Sequence, residues 1–262
     1  MRMIIAAGML CGALVPAQAL ADSPFDGTWK ADMSSVKMPT KPDSYQLKDG
    51  MYTCSTCAPA YTIKADGSDQ AVAGHPYFNS VAIKVDGNTI QETDKKDGKT
   101  VTTSTTTIAS DGKTADVEFS DSSNTNAAPV TGKLTIKKIA AGPSGSGPIS
   151  GSWIVSNFAS LSDNGITVTY KTDGGMLTMT MPTGQTFTAK MNGTSAPYTG
   201  DPGITTVSVR KIGSHSIIET DMRNGKPVDT VKTTVSKDGK TANVSYDDML
   251  HHRTTSYSAT KQ

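Results

Sequence analysis

Glu92 with Asp94 and Glu219 with Asp221 are the residues whose types and spacing come nearest to acid–base chemistry, because alternate positions of a strand share one face. Two carboxyls held in one pocket can divide the roles of acid and base. Cys54 and Cys57, in Tyr-Thr-Cys-Ser-Thr-Cys, have the spacing of a local disulfide or of a labile, redox-active one. A thioredoxin-type pair sits at a helix N-terminus that lowers the thiol pKa. The surrounding sequence predicts no helix, so a structural disulfide is the first expectation and a redox role the lesser one. His75, His215, His251 and His252 are the histidines. The adjacent two would point to opposite faces of a strand, and Cys54, Cys57 and His75 lack a fourth ligand, so no metal site is expected. A Gly-x-Ser-x-Gly elbow, a phosphate-cradling Gly-rich loop and His-Glu-x-x-His are all missing, so no catalytic residue and no cofactor is assigned.

The elements that would carry these residues are strands. The stretch from Glu92 to Asp121 recurs from Glu219 to Asp248 with about half the positions identical and no gap. The match extends to Gly27-Thr28-Trp29 against Gly151-Ser152-Trp153, and to Tyr61–Gly67 against Phe187–Gly193. Asp-Gly and Asn-Gly pairs punctuate both copies, among them Asp49-Gly50, Asp97-Gly98, Asp111-Gly112, Asn224-Gly225 and Asp238-Gly239. Such pairs predict tight hairpins, since a type I′ turn needs positive φ at both central residues.

Hairpin register then assigns faces. From Asp111-Gly112, Ile108 pairs with Ala115, Thr106 with Val117 and Ser104 with Phe119; in the second copy Val235 pairs with Ala242, Thr233 with Val244 and Val231 with Tyr246. One face is apolar and the other is wet. From Asp97-Gly98 the same rule pairs Asp94 with Val101 and Glu92 with Thr103, on the side opposite Ser104, Thr106 and Ile108. The carboxylates are therefore expected on the solvent face, with ordinary pKa values and lysine neighbours.

The expected fold is all-β: two tandem antiparallel up-and-down meanders of eight or nine short strands, closed into barrels or folded as β-sandwiches. Closure is preferred because it removes exposed edges. Gly27-Thr28-Trp29 and Gly151-Ser152-Trp153, each on the first strand of its copy, resemble the Gly-x-Trp opening of lipocalin-like (calycin) barrels. The resemblance implies a tandem duplication of such a barrel, and the chain resembles secreted bacterial proteins that carry them. It also implies an arginine over each Trp, for which Arg253 is the candidate in the second copy. A transmembrane barrel is disfavoured, because the outward faces carry Thr, Asp, Glu and Lys instead of an apolar band.

Met1-Arg2, the apolar run from Met3 to Val15 and Ala19-Leu20-Ala21 before Asp22 predict a cleaved secretory signal over residues 1–21, and hence a periplasmic or secreted protein. The expected barrels are 22–140 and 148–262, joined by a flexible Gly/Ser/Pro linker over 141–147. Lys plus Arg number 25 against 24 Asp plus Glu; removing Arg2 leaves 25 − 1 = 24 against 24. That balance gives no electrostatic case for nucleic acid, and no second apolar stretch would span a membrane after cleavage.

What remains for function is the lumen. Trp29, Tyr61, Phe119, Trp153, Phe187 and Tyr246 are the residues expected to line it. The functional expectation is an exported, non-enzymatic protein that binds a small, partly apolar ligand in one or both barrels. The alternatives are a structural or protein-interaction module of the cell envelope with filled barrels, and an envelope redox protein acting through Cys54 and Cys57.

Overall fold

A computed structural model describes residues 23–124 and 127–262, so the secretory signal expected over 1–21 lies outside the described residues. The described residues are almost wholly antiparallel β-structure, with two single 3-10 turns at Met33–Ser35 and Asp163–Gly165. Their strands form two ten-stranded sheets, one of them a closed barrel. The second sheet ends at Tyr61–Lys64 and Gln70–Ala71, and an isolated bridge from Asp66 to Lys84 brings it close to closure. The expectation of an all-β fold of antiparallel meanders holds.

The sheets do not follow the halves of the chain. Gly27–Ala31 lies in the closed barrel, between Thr167–Asp173 and Arg253–Lys261, which begin and end the run of strands from the C-terminal half. Its counterpart Gly151–Leu161 lies in the other sheet, between Asp43–Lys48 and Val130–Ala141. The expected units 22–140 and 148–262 are corrected accordingly: each sheet takes its Trp strand from the other half.

The cause is local. Val130–Ala141 and Gly151–Leu161 form a hairpin, and consecutive strands with a short connection pair with each other in preference to distant ones. Residues 141–147, expected as a flexible linker, belong instead to this packed turn. Ala141 pairs with Gly151, the Gly147 N–H donates to Leu47 O at 2.7 Å, and Leu47 N–H donates to Ser150 Oγ at 2.8 Å. With that slot of the first sheet taken, Gly27–Ala31 fills the equivalent slot in the barrel. Residues 32–42 lead back across, held where Arg253 Nη2 meets Asp43 Oδ1 at 2.7 Å.

The two Trp strands can trade places because their surroundings match. Trp29 Nε1 donates to Phe25 O at 2.8 Å, and Trp153 Nε1 to Ile149 O at 2.7 Å. Lys261 Nζ stands 5.2 Å from the centre of the Trp29 ring and Lys138 Nζ 4.8 Å from that of Trp153, where an ammonium is attracted to the ring face. Lysines thus occupy the positions expected of arginine, and Arg253 is corrected to a partner of Asp43. Trp29, Leu177, Phe187, Val207 and Ile217 centre the barrel core; Tyr52, Cys54, Ile83, Ile108 and Trp153 centre that of the other sheet.

Candidate ligand-binding site

The site begins with a turn. Asn224 and Gly225 have φ of 52° and 77°, the left-handed pair a type I′ hairpin requires. Arg223 faces Lys226 and Met222 faces Pro227, but the register then shifts, so that Asp221 faces Asp229 and Val228 is bulged. A bulge inserts one residue on one strand and re-aims every side chain beyond it. Directly opposed residues of an antiparallel pair share a face. Glu219 opposite Val231 and Asp221 opposite Asp229 therefore enter the barrel on the same face as Ile217.

The corresponding hairpin of the other sheet does the same. Asp97 and Gly98 have φ of 51° and 80°, Lys95 faces Thr100, and a shift at Val101 sets Asp94 opposite Thr102 and Glu92 opposite Ser104. The expected pairs Asp94–Val101 and Glu92–Thr103 are corrected by one residue. The solvent-facing assignment of all four acids fails with them, because a one-residue slip exchanges the faces of a strand. Asp94, Glu219 and Asp221 are buried, and Glu92 is half-buried against Tyr61, whose hydroxyl donates to Glu92 Oε1 at 3.2 Å.

Burial dominates their chemistry. Desolvation, followed by the neighbouring carboxylate Asp229, pushes the Glu219 carboxyl up to about 8. Asp221 is raised further, by burial and then by the charges of Glu219 and Asp229, and Asp229 is raised mainly by burial. In the other sheet, burial and then Glu92 push Asp94 up to about 8. Beyond its burial, Asp221 is raised by the charges of both acidic neighbours, and Tyr246 Oη donates to Asp229 Oδ2 at 3.4 Å. At neutral pH the cluster holds protons and can either donate them or give them up to an arriving cation.

These acids border a cavity of about 490 Å³ in the closed barrel, within the range of small-molecule sites. Tyr170, Tyr198, Tyr257, Met179 and Met181 supply its aromatic and thioether walls. Tyr77 and Asn124, from the loops of the other sheet, complete the rim. Tyr77 Oη donates to Asp201 Oδ1 at 3.0 Å, Asn124 Nδ2 lies 3.4 Å from Asp201 Oδ2, and Gln185 Nε2 donates to Asn124 O at 3.2 Å. Gly203 is required beside Tyr77: a Cβ there would lie 2.1 Å from the Tyr77 hydroxyl.

The other sheet is packed differently. Tyr45, Tyr52, Tyr61, His75 and Phe78 form a ladder of ring contacts, closest between His75 and Phe78 at 4.6 Å. His75 is held below its usual pKa by burial. Cys54 and Cys57 are disulfide-bonded beside this ladder, with Cys54 fully buried.

The residues expected to line a lumen are dispersed. Tyr246 borders the cavity, Trp29 borders a smaller space of about 50 Å³ in the same barrel, and Phe187 packs in its core 5.8 Å from Tyr198. Trp153, Tyr61 and Phe119 belong to the other sheet, where Trp153 is core, Tyr61 is in the ring ladder and Phe119 lies against Gly132. Sequence reasoning missed Asp229, Tyr170, Tyr198 and the inward turn of the acids. One signal pointed to them: Ile90, Glu92 and Asp94, like Ile217, Glu219 and Asp221, alternate in phase, so the acids share a face with an isoleucine. Comparison with known proteins finds no matching family model, no matching curated protein and no matching solved structure.

Proposed function

We propose that this chain is an exported, non-enzymatic binding protein built from a tandem duplication of lipocalin-like barrels. Its closed barrel takes a small, partly apolar molecule in the lumen. The observation that carries the reading is the cavity of about 490 Å³, walled by tyrosines and methionines around a few convergent polar groups. The leader-like residues 1–21 and the Cys54–Cys57 disulfide support an oxidising compartment, periplasmic or extracellular. Burial of Cys54 favours a structural disulfide over thiol exchange.

The ring ladder of the other sheet supports the filled-barrel alternative for that sheet alone. Its role in this reading is to hold Tyr77 and Asn124 over the lumen. Native mass spectrometry of the protein from its own host tests the reading, alongside a Val231→Trp variant whose indole fills the lumen. A retained small molecule, absent from the filled variant, is the expected result. A ligand-free chain, or the same added mass on both proteins, would sink it.

A further inference from the structure

The lumen is acidic without a counter-charge. Asp201, Glu219, Asp221 and Asp229 border it, and among the described residues no lysine, arginine or histidine does. Arg223, close by, donates from Nε to Gly203 O at 2.7 Å. Asp221 and Asp229 are 4% and 7% exposed, and on each the Oδ1 oxygen has no hydrogen-bond partner. A buried polar atom without a partner costs about 1–3 kcal/mol, which a donor entering the lumen would recover. Tyr170, Tyr198 and Tyr257 also line the lumen, and an aromatic ring face attracts positive charge. Among the described residues no three His, Cys, Asp or Glu side chains are grouped to hold a metal ion.

A second space adjoins the first. A groove of about 300 Å³ runs between Met33, Val36 and Met38 on one side and Phe158, Leu161 and Ile166 on the other. Val168, Met181 and Tyr257 border both the groove and the lumen. A compact charged ligand would leave this apolar surface unused, whereas each buried methylene gains about 0.8 kcal/mol.

From these two adjoining spaces we infer that the ligand is an amphipathic organic cation, with its ammonium group on Asp221 and Asp229 and its apolar chain passing Tyr257 into the groove. The inference rests on the lumen-binding reading and narrows its ligand class. Binding is ion pairing: as the ammonium arrives, a carboxyl of the cluster releases its proton to solvent, so the charge in the lumen stays balanced. The titratable groups facing Asp221 and Asp229 are Glu219, Asp201 and Asp248 and the hydroxyls of Tyr77, Tyr170, Tyr198 and Tyr246. Tyr257 faces Glu219 in turn.

Calorimetric titration of the mature chain with hexylammonium, methylammonium and hexan-1-ol tests this. The primary ammonium head carries the N–H donors that the Oδ1 oxygens lack and, like a lysine, keeps its charge to about pH 10, so a pH dependence between 6 and 9 belongs to the protein. Hexylammonium should bind roughly tenfold or more tighter than either other probe, and tighter at pH 9 than at pH 6 with protons released. Asp221→Asn should weaken the cation by roughly tenfold or more and leave hexan-1-ol unchanged. Phe158→Ser should erase much of the advantage of the hexyl chain over the methyl one. Equal or tighter binding of hexan-1-ol, or cation affinity that is flat or falls with pH, overturns the inference. If hexan-1-ol binds and Val231→Trp abolishes it, lumen binding stands while the cation falls; if no probe binds, both fall.

Discussion

Asp221 faces Asp229 across a hairpin because Val228, one residue before Asp229, is bulged out of the ladder. Two carboxyls that would otherwise sit on different faces are brought together inside the barrel, and both are buried. That single extra residue separates a wet carboxylate pair from a buried acid cluster.

Stability should therefore fall as pH rises. Folding raises the carboxyl pKa of Glu219 to about 8, and those of Asp221 and Asp229 also rise, so the folded chain binds more protons than the unfolded one above about pH 4. The stabilisation is fully present below the unfolded values and is lost as pH passes through the folded ones. With about 1.4 kcal/mol for each unit of pKa difference, several kcal/mol should disappear between pH 5 and pH 9. Urea denaturation at a series of pH values measures it, and Asp221→Asn should flatten the profile. A chain that grows more stable over this range would show that the acids are not buried together.

The exchange of Trp strands predicts what a cut does. Cleavage at a protease site engineered between Ser144 and Ser146 leaves each fragment holding the strand that completes the other's sheet. The fragments should co-elute from a sizing column under native conditions and separate only in denaturant. Fragments that part at once would mean that each sheet closes with its own Trp strand.

Much of this was legible in the sequence, and the failures share one origin. The pairs Ile108–Ala115, Ser104–Phe119, Val235–Ala242 and Val231–Tyr246 are those that two-residue turns dictate. Turn chemistry also marked Asp97-Gly98 and Asn224-Gly225 as left-handed positions. No residue type announces a bulge, so the register was lost at Val101 and Val228 and the acids changed face with it. Nor could the sequence say which sheet each Trp strand serves, since Phe25–Trp29 and Ile149–Trp153 make the same indole hydrogen bond. That choice was made by the packed hairpin turn around Gly147 and Ser150, whose Gly, Ser and Pro content reads as a linker.

The disulfide should matter little to either stability or redox chemistry. Cys54 and Cys57 enclose a loop so short that a bridge constrains the unfolded chain by about 2 kcal/mol at most. Burial of Cys54 shields it from an attacking thiolate. The double variant Cys54→Ala, Cys57→Ala should lose about 2 kcal/mol or less by denaturant titration and keep its ligand. Rapid reduction of the native protein by a small dithiol without unfolding would return the redox reading to the front.

Tyr77 links the two sheets and should govern access to the lumen. Its hydroxyl donates to Asp201 Oδ1, which also accepts from the Gly203 N–H at 2.7 Å, and the ring lies where any Cβ at residue 203 would project. Burial and the Asp201 carboxylate raise the Tyr77 pKa, so the hydroxyl stays a donor throughout the neutral range. Tyr77→Phe removes one hydrogen bond to a charged acceptor, about 1.5–3 kcal/mol, and keeps the ring. Gly203→Ala displaces the ring itself. Both changes should speed release of a bound lumen ligand, Gly203→Ala more than Tyr77→Phe, while the melting temperature of Tyr77→Phe falls by roughly 3–12 °C. Stopped-flow displacement with hexylammonium as the ligand reads the rates, and rates equal to wild type in both variants would show that the rim over the lumen does not gate it.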